Sequence, residues 1–71
     1  MKVTQIYFSC DNIHHQSYVL IYDSHENYIS RKDPVYQGHI NDDEIKDVEV
    51  RRFSVEDSGD TVHILTYEEL K

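Results

Sequence analysis

Short runs of β-branched and aromatic residues dominate the first half of this chain, and such runs are typical of β-strands. Residues 3–10 (VTQIYFSC) and 28–31 (YISR) predict the first and third strands, and residues 17–22 (SYVLIY) predict the second. The second run is apolar on both strand faces. It therefore indicates either a central strand covered on both sides or a strand that presents one face to a partner.

Two further apolar runs in the second half predict a hairpin. Residues 48–56 and 61–67 flank the turn sequence Asp-Ser-Gly-Asp, in which Gly59 can adopt a positive φ. Within the first of these runs the apolar residues change strand face near Arg51 and Arg52. This change indicates either a strand that uses both faces or a β-bulge that resets the register.

One segment carries a helix signal. Asn41 and Glu44 have the spacing of a capping box, and the two aspartates between them suit the positive end of a helix dipole. We expect a short helix near residues 41–46. Because isolated helices of this length are marginal in water, the packing of Ile45 has to hold it in place.

These elements predict a mainly β fold (β-rich α+β) of about five antiparallel strands, arranged as a meander or a small open barrel with the one short helix. The same order of elements occurs in Greek-key barrels of the OB type and is compatible with a small SH3-like barrel. A chain of 71 residues predicts a single domain, residues 1–71. A domain of this size buries only about 60% of its unfolded surface, so self-association is one source of added stability.

The acidic residues are concentrated in the C-terminal part of the chain. The sequence has 14 acidic and 7 basic residues, for a formal net charge of −7, and residues 41–71 hold ten of the acids against four bases. Binding to nucleic acid is disfavoured because its affinity comes from Lys and Arg side chains that neutralise phosphates. The charge favours a basic or nucleic-acid-binding protein as partner, and the alternative interpretation is that it only keeps a small protein soluble.

Tyrosines supply a second candidate for partner binding. Tyr18, Leu20 and Tyr22 share one face of the second predicted strand. If Val19 and Ile21 face the core, this stripe faces outward, where tyrosine is a frequent interface residue. The alternative is that these tyrosines lie at the rim of the core with only their hydroxyl groups in water.

Metal binding and catalysis have weak support. Cys10 precedes His14 and His15 at a spacing that could bring zinc ligands together, with His25 or Asp11 completing the set. A single cysteine makes a poor structural zinc site, however, so we expect surface histidines, an inert buried cysteine and no metal or other cofactor. The sequence has no catalytic or phosphate-binding motif, and we expect no enzyme activity.

The sequence also lacks an apolar run of the length that a membrane span requires, and its first residues lack the pattern of a signal peptide. Together with the lone cysteine, this predicts a cytoplasmic protein without membrane contact.

The function that these observations favour is a non-enzymatic binding protein that occludes a basic protein surface. Its sharpest form is an inhibitor of the kind made by phages and mobile elements, in which carboxylates mimic the phosphates of nucleic acid. The residues predicted to contact the partner are Asp42, Asp43, Glu44, Asp47, Glu49, Glu56, Asp57, Asp60, Tyr18 and Tyr22. The alternative function is a homo-oligomeric assembly module, for example a homodimer that pairs through edge strands.

Overall fold

Four strands and two short helices form a strand-rich α/β fold in the computed structural model, which describes residues 1–70. The helices are α1 (Val3–Ser9) and α2 (His25–Ser30), and the strands are β1 (Tyr18–Tyr22), β2 (Tyr36–His39), β3 (Arg52–Glu56) and β4 (Thr61–Leu65). The strands make one mixed sheet in the order β2-β1-β4-β3. The prediction of about five antiparallel strands is therefore wrong in strand number and in direction.

The two central strands are parallel. Val19 of β1 lies opposite Val62 of β4, and Ile21 lies opposite Ile64, whereas β2 and β3 flank this pair in antiparallel orientation. A parallel pair needs a long connection between its strands, and here the connection contains α2, β2 and β3. This crossover rules out a meander.

The main core lies on one face of the sheet. Val19, Ile21, Val62 and Ile64 are each 0% exposed, and they pack against two layers of chain. One layer is α1, and the other is the crossing segment, residues 40–50, which runs over this face between β2 and β3. The buried side chains that these two layers contribute are Val3, Ile6, Ile40, Ile45, Val48 and Val50.

Helix α2 covers part of the opposite face. Its Tyr28 packs in a second cluster with Tyr22 and Leu65, and Leu20 lies against this cluster. Strand β1 is thus central, with Val19 and Ile21 buried on one face, whereas the other face is buried at Tyr22 and exposed at Tyr18, so each of the two interpretations of the run 17–22 holds for part of the strand. Both edges of β1 are paired, with β2 and with β4.

Residues 3–9 form α1 where the sequence predicts a strand. Val3 and Ile6, three residues apart, are its buried residues, and the Lys2 amide donates to Gln5 Oε1 at 2.6 Å to cap its first turn. Phe8 is 78% exposed, whereas a strand would have placed it on the same face as Ile6. The structure of this segment follows the helical spacing of its buried residues and not its high content of β-forming residues.

Residues 25–30 form α2, which overlaps the strand that the sequence predicts at residues 28–31. Ser24 caps the helix by accepting from the Asn27 amide at 3.3 Å, and Arg31 ends it in the left-handed conformation at φ 58°. The prediction of a strand at residues 28–31 is wrong because Tyr28 reaches the sheet from the helix, and β2, which the sequence analysis missed, pairs with β1 instead.

The predicted helix near residues 41–46 is a series of turns. The amides of Asp42, Ile45 and Val48 each donate to the carbonyl three residues earlier, at 3.0–3.2 Å. The expected packing of Ile45 is confirmed, since this side chain is 1% exposed. The segment has no helix for Asn41 to cap. It is held instead by packing against α1, where the Thr4 amide donates to the Lys46 carbonyl at 3.2 Å.

The final hairpin is confirmed, with Phe53 opposite Ile64 and Val55 opposite Val62. Its first strand begins only at Arg52, because the chain bends at Arg51 as it leaves the crossing segment. This bend accounts for the change of strand face that the sequence shows there.

Candidate partner-binding site

The eight acidic residues predicted to contact a partner lie in two separate parts of the structure. One group is on the crossing segment, on the main-core side of the sheet, and comprises Asp42, Asp43, Glu44, Asp47 and Glu49. The other group is at the hairpin between β3 and β4, and comprises Glu56, Asp57 and Asp60. Glu56 faces the opposite side of the sheet, since it pairs there with His63. The eight carboxylates therefore do not form one continuous acidic strip.

Two members of the crossing-segment group have internal partners. Asp42 accepts a hydrogen bond from the Tyr36 hydroxyl and another, at 3.4 Å, from the His39 amide. Glu49 accepts from the N-terminal ammonium group and lies 3.8 Å from Lys2 Nζ. The hydrogen bond from the ammonium group is the main reason that the pKa of Glu49 lies below its usual value. These two carboxylates hold the segment to its neighbours.

The remaining members, Asp43, Glu44 and Asp47, are exposed to solvent. Among residues 1–70, none of the three makes a side-chain hydrogen bond or an ion pair. Their charges are consequently available to a partner. We call these three residues the free acidic group.

All three acids of the hairpin group have a partner within the chain. Glu56 Oε1 lies 2.5 Å from His63 Nε2, and Asp60 Oδ1 lies 3.0 Å from His14 Nε2. Asp57 accepts from the Thr61 hydroxyl at 3.3 Å. These contacts tie the hairpin turn to the loop before β1 and to β4.

The two predicted tyrosines differ in exposure. Tyr18 is 39% exposed, its ring meets the edge of His39 at 6.0 Å between centroids, and its hydroxyl donates to Gln37 Oε1 at 3.3 Å. Tyr22 is 0% exposed because α2 lies over this end of the sheet. The side chain of Tyr18 can contact a partner, whereas that of Tyr22 presents no surface.

Tyr22 belongs instead to a polar chain that the sequence analysis missed. Its hydroxyl lies 2.9 Å from His63 Nδ1, and the two rings stack at 5.9 Å between centroids. With a proton on Nε2, the His63 ring donates to the Glu56 carboxylate on one side, and its Nδ1 contacts the Tyr22 hydroxyl on the other. Burial raises the pKa of Tyr22 above its usual value of 10.0.

This polar chain links side chains from strands that are far apart in the sequence. Both ring nitrogens of His63 are engaged, and the residue is only 8% exposed. Ser54, which lies opposite His63 in the register, accepts from Arg31 Nη2 at 2.8 Å. The arrangement joins β1, β3, β4 and the end of α2. Thr61, His63 and Leu65 alternate along β4 and therefore share one strand face. Together with the parallel register of β1 and β4, this alternation places His63 on the same face as Tyr22.

The residues of the zinc hypothesis are not assembled. Residues 1–70 contain no group of three or more His, Cys, Asp or Glu side chains placed to hold a metal ion. His14 pairs with Asp60, and Cys10 is a half-buried residue that follows α1 and packs against the main core.

In residues 1–70 neither helix is long and apolar enough to cross a membrane. The observations define the class of this protein as a small, strand-rich α/β domain with a mixed four-stranded sheet. Comparisons with protein-family models, curated proteins and solved structures found no match to the chain.

Proposed function

We propose that this chain is a non-enzymatic binding protein that occludes a basic surface on a partner protein. The free acidic group is the observation that carries the proposal. Asp43, Glu44 and Asp47 lie within one short segment, and none of them forms an ion pair within residues 1–70, although Lys46 belongs to the same segment. Charges of one sign on one surface accelerate association with a surface of the opposite sign and select against acidic partners.

The main core gives this group a defined position. The crossing segment is anchored on either side of the acidic residues, because Ile40 is 3% exposed and Val48 is 6% exposed. A charged surface on an anchored segment loses less conformational entropy on binding than one on a loose chain. In the narrower form of the proposal, the same carboxylates mimic phosphates and the partner is a nucleic-acid-binding protein.

The test is affinity capture with the tagged protein from lysate of its host cells, at low and at high salt. We expect wild type to retain a basic protein that is released by high salt or by competing DNA, because the binding is electrostatic. A triple variant with Asp43→Lys, Glu44→Lys and Asp47→Lys changes the formal net charge from −7 to −1, since each reversal adds two charges. This variant should lose the captured protein.

A matched control reverses three exposed acids elsewhere: Asp11→Lys, Asp23→Lys and Glu26→Lys. It has the same net charge as the first variant and leaves the free acidic group intact. Retention by the control with loss in the first variant supports the proposal. Equal retention by both variants, or equal loss from both, contradicts it.

The free edges of the sheet favour a second candidate function, a homodimeric assembly module. Strand β3 (Arg52–Glu56) and strand β2 (Tyr36–His39) are the outer strands and pair within residues 1–70 on one side only. An unpaired edge is a template for another copy of the chain. Sedimentation analysis at high micromolar concentration tests this candidate, and a monomeric mass would contradict it.

A further inference from the structure

A cavity that is partly open to solvent lies beside the free acidic group and is large enough to hold a side chain of a partner protein. Its volume is about 390 Å³, and it is lined by Val35, Tyr36, Glu44, Ile45 and Leu70. Three of these five side chains are aliphatic and one is aromatic. The volume is at the lower end of the range of about 300–1,000 Å³ for sites that bind small groups.

The walls of the cavity are held in place by contacts outside it. Ile45 is 1% exposed and belongs to the main core. The Tyr36 hydroxyl donates to Asp42, and the ring end lies so close to Gly38 that a Cβ there would sit 2.8 Å from Tyr36 Cζ. Burial and the hydrogen bond to Asp42 both raise the pKa of Tyr36. The pocket is consequently formed before a ligand arrives.

The charge of the cavity is negative. Glu44 is exposed and has no hydrogen bond or ion pair among residues 1–70, and Asp42 holds the hydroxyl of the neighbouring Tyr36. Among residues 1–70, none of the side chains that line the cavity is basic. Apolar walls, an aromatic ring and an unpaired carboxylate suit a ligand that combines an aliphatic stem with a cationic head.

We propose that this cavity binds an arginine side chain of the basic partner, an inference that rests on the proposed function. The arginine stem lies against Val35 and Leu70, above the buried Ile45, and the guanidinium group pairs with the Glu44 carboxylate and stacks on the Tyr36 ring. Arginine fits better than lysine because its planar group binds a carboxylate through two parallel hydrogen bonds and stacks on aromatic rings. A central, partly desolvated arginine is also a frequent energetic anchor of protein interfaces.

The experiment uses the full chain and a blocked tripeptide with arginine between two glycines, followed by NMR chemical shifts. We expect saturable shifts at Val35, Ile45 and Leu70 with a dissociation constant on the order of 1 mM, as suits a single anchoring side chain. The same peptide with citrulline, which keeps the shape and lacks the charge, should not bind. Glu44→Gln should weaken binding of the arginine peptide by about tenfold.

Asp47→Asn is the matched control, because it removes one charge from the same exposed surface without touching the cavity. It should change the affinity by less than about twofold, since exposed charges that make no contact contribute little. Equal weakening by Glu44→Gln and Asp47→Asn, binding of the citrulline peptide, or shifts confined to other residues would each overturn the proposal.

No partner protein is present in this assay, so its result is separate from that of the capture experiment. A basic protein captured through the free acidic group, with no arginine peptide in the cavity, overturns the pocket and leaves the proposed function standing. Arginine binding in the cavity without capture of a basic protein supports the pocket and contradicts the occlusion function.

Discussion

Replacing Gly59 with alanine should destabilise the protein more than any other single change at the hairpin turn. Gly59 has φ 103°, a conformation that alanine adopts only with strain of about 1–2 kcal/mol. A Cβ at this position would lie 1.9 Å from the Asn12 carbonyl oxygen and 2.6 Å from its carbon. Both atoms belong to the backbone, so the loop before β1 has to move.

Movement of that loop has further costs. The Ser17 hydroxyl donates to the Gly59 carbonyl at 2.6 Å, and Ile13 of the same loop is buried in the main core. Overpacking of this kind costs about 1–3 kcal/mol. Added to the strain, the expected loss in the free energy of unfolding is about 2–5 kcal/mol. This is a large part of the stability of so small a domain and lowers Tm by at least about 8 °C.

Urea unfolding followed by circular dichroism measures the effect. Ser58→Gly is the matched control, because Ser58 also has a positive φ, 57°, and glycine relieves that strain instead of adding to it. The control should be as stable as wild type or slightly more stable. A Gly59→Ala variant within about 0.5 kcal/mol of wild type would refute the close approach of the turn to Asn12.

Three further predictions concern titratable groups. Tyr22→Phe should lower the free energy of unfolding by about 1–3 kcal/mol in urea titrations at neutral pH, because His63 Nδ1 loses its buried hydrogen-bond partner. An unchanged unfolding midpoint would contradict the polar chain. Folding lowers the pKa of Glu49, so the charged carboxylate stabilises the protein at pH values above its usual pKa of 4.5, and this stabilisation is lost as the pH falls. The difference in unfolding free energy between wild type and Glu49→Gln should therefore disappear in acid, and a difference that stays constant with pH would count against the ammonium contact. Folding raises the pKa of Tyr36, so the stability that its protonated hydroxyl contributes is complete below the usual pKa of 10.0 and is lost as the pH rises above that value. Tyr36→Phe should therefore be less sensitive to alkaline unfolding than wild type, and equal sensitivity would argue against the burial of Tyr36 beside Asp42.

Local sequence was sufficient to place the central strand and the final hairpin. The run Tyr18–Tyr22 is apolar on both faces and forms a central strand with both edges paired. The two runs around Gly59 form the final hairpin, and the glycine has the positive φ expected of it. In these cases the hydrophobic pattern and the turn residues favour the same structure.

In two short segments the amino-acid composition favours a strand, whereas the structure is a helix. Val3–Ser9 and His25–Ser30 contain β-branched or aromatic residues, yet both are helices. Intrinsic propensities differ by less than about 1 kcal/mol per residue for most side chains. The burial of Val3, Ile6 and Tyr28 against the two faces of the sheet is worth more than that difference.

For the candidate site, the sequence determined how much negative charge the C-terminal part carries, and the tertiary structure decided which charges are free. Glu44 and Glu49, five positions apart, have different surroundings because the crossing segment brings Glu49 to the N-terminal ammonium group and leaves Glu44 beside a cavity. Tyr22 is buried for a similar reason, since α2 folds over one end of β1. Pairing and burial depend on contacts between residues far apart in the chain, and the parallel pairing of β1 with β4 is one such contact.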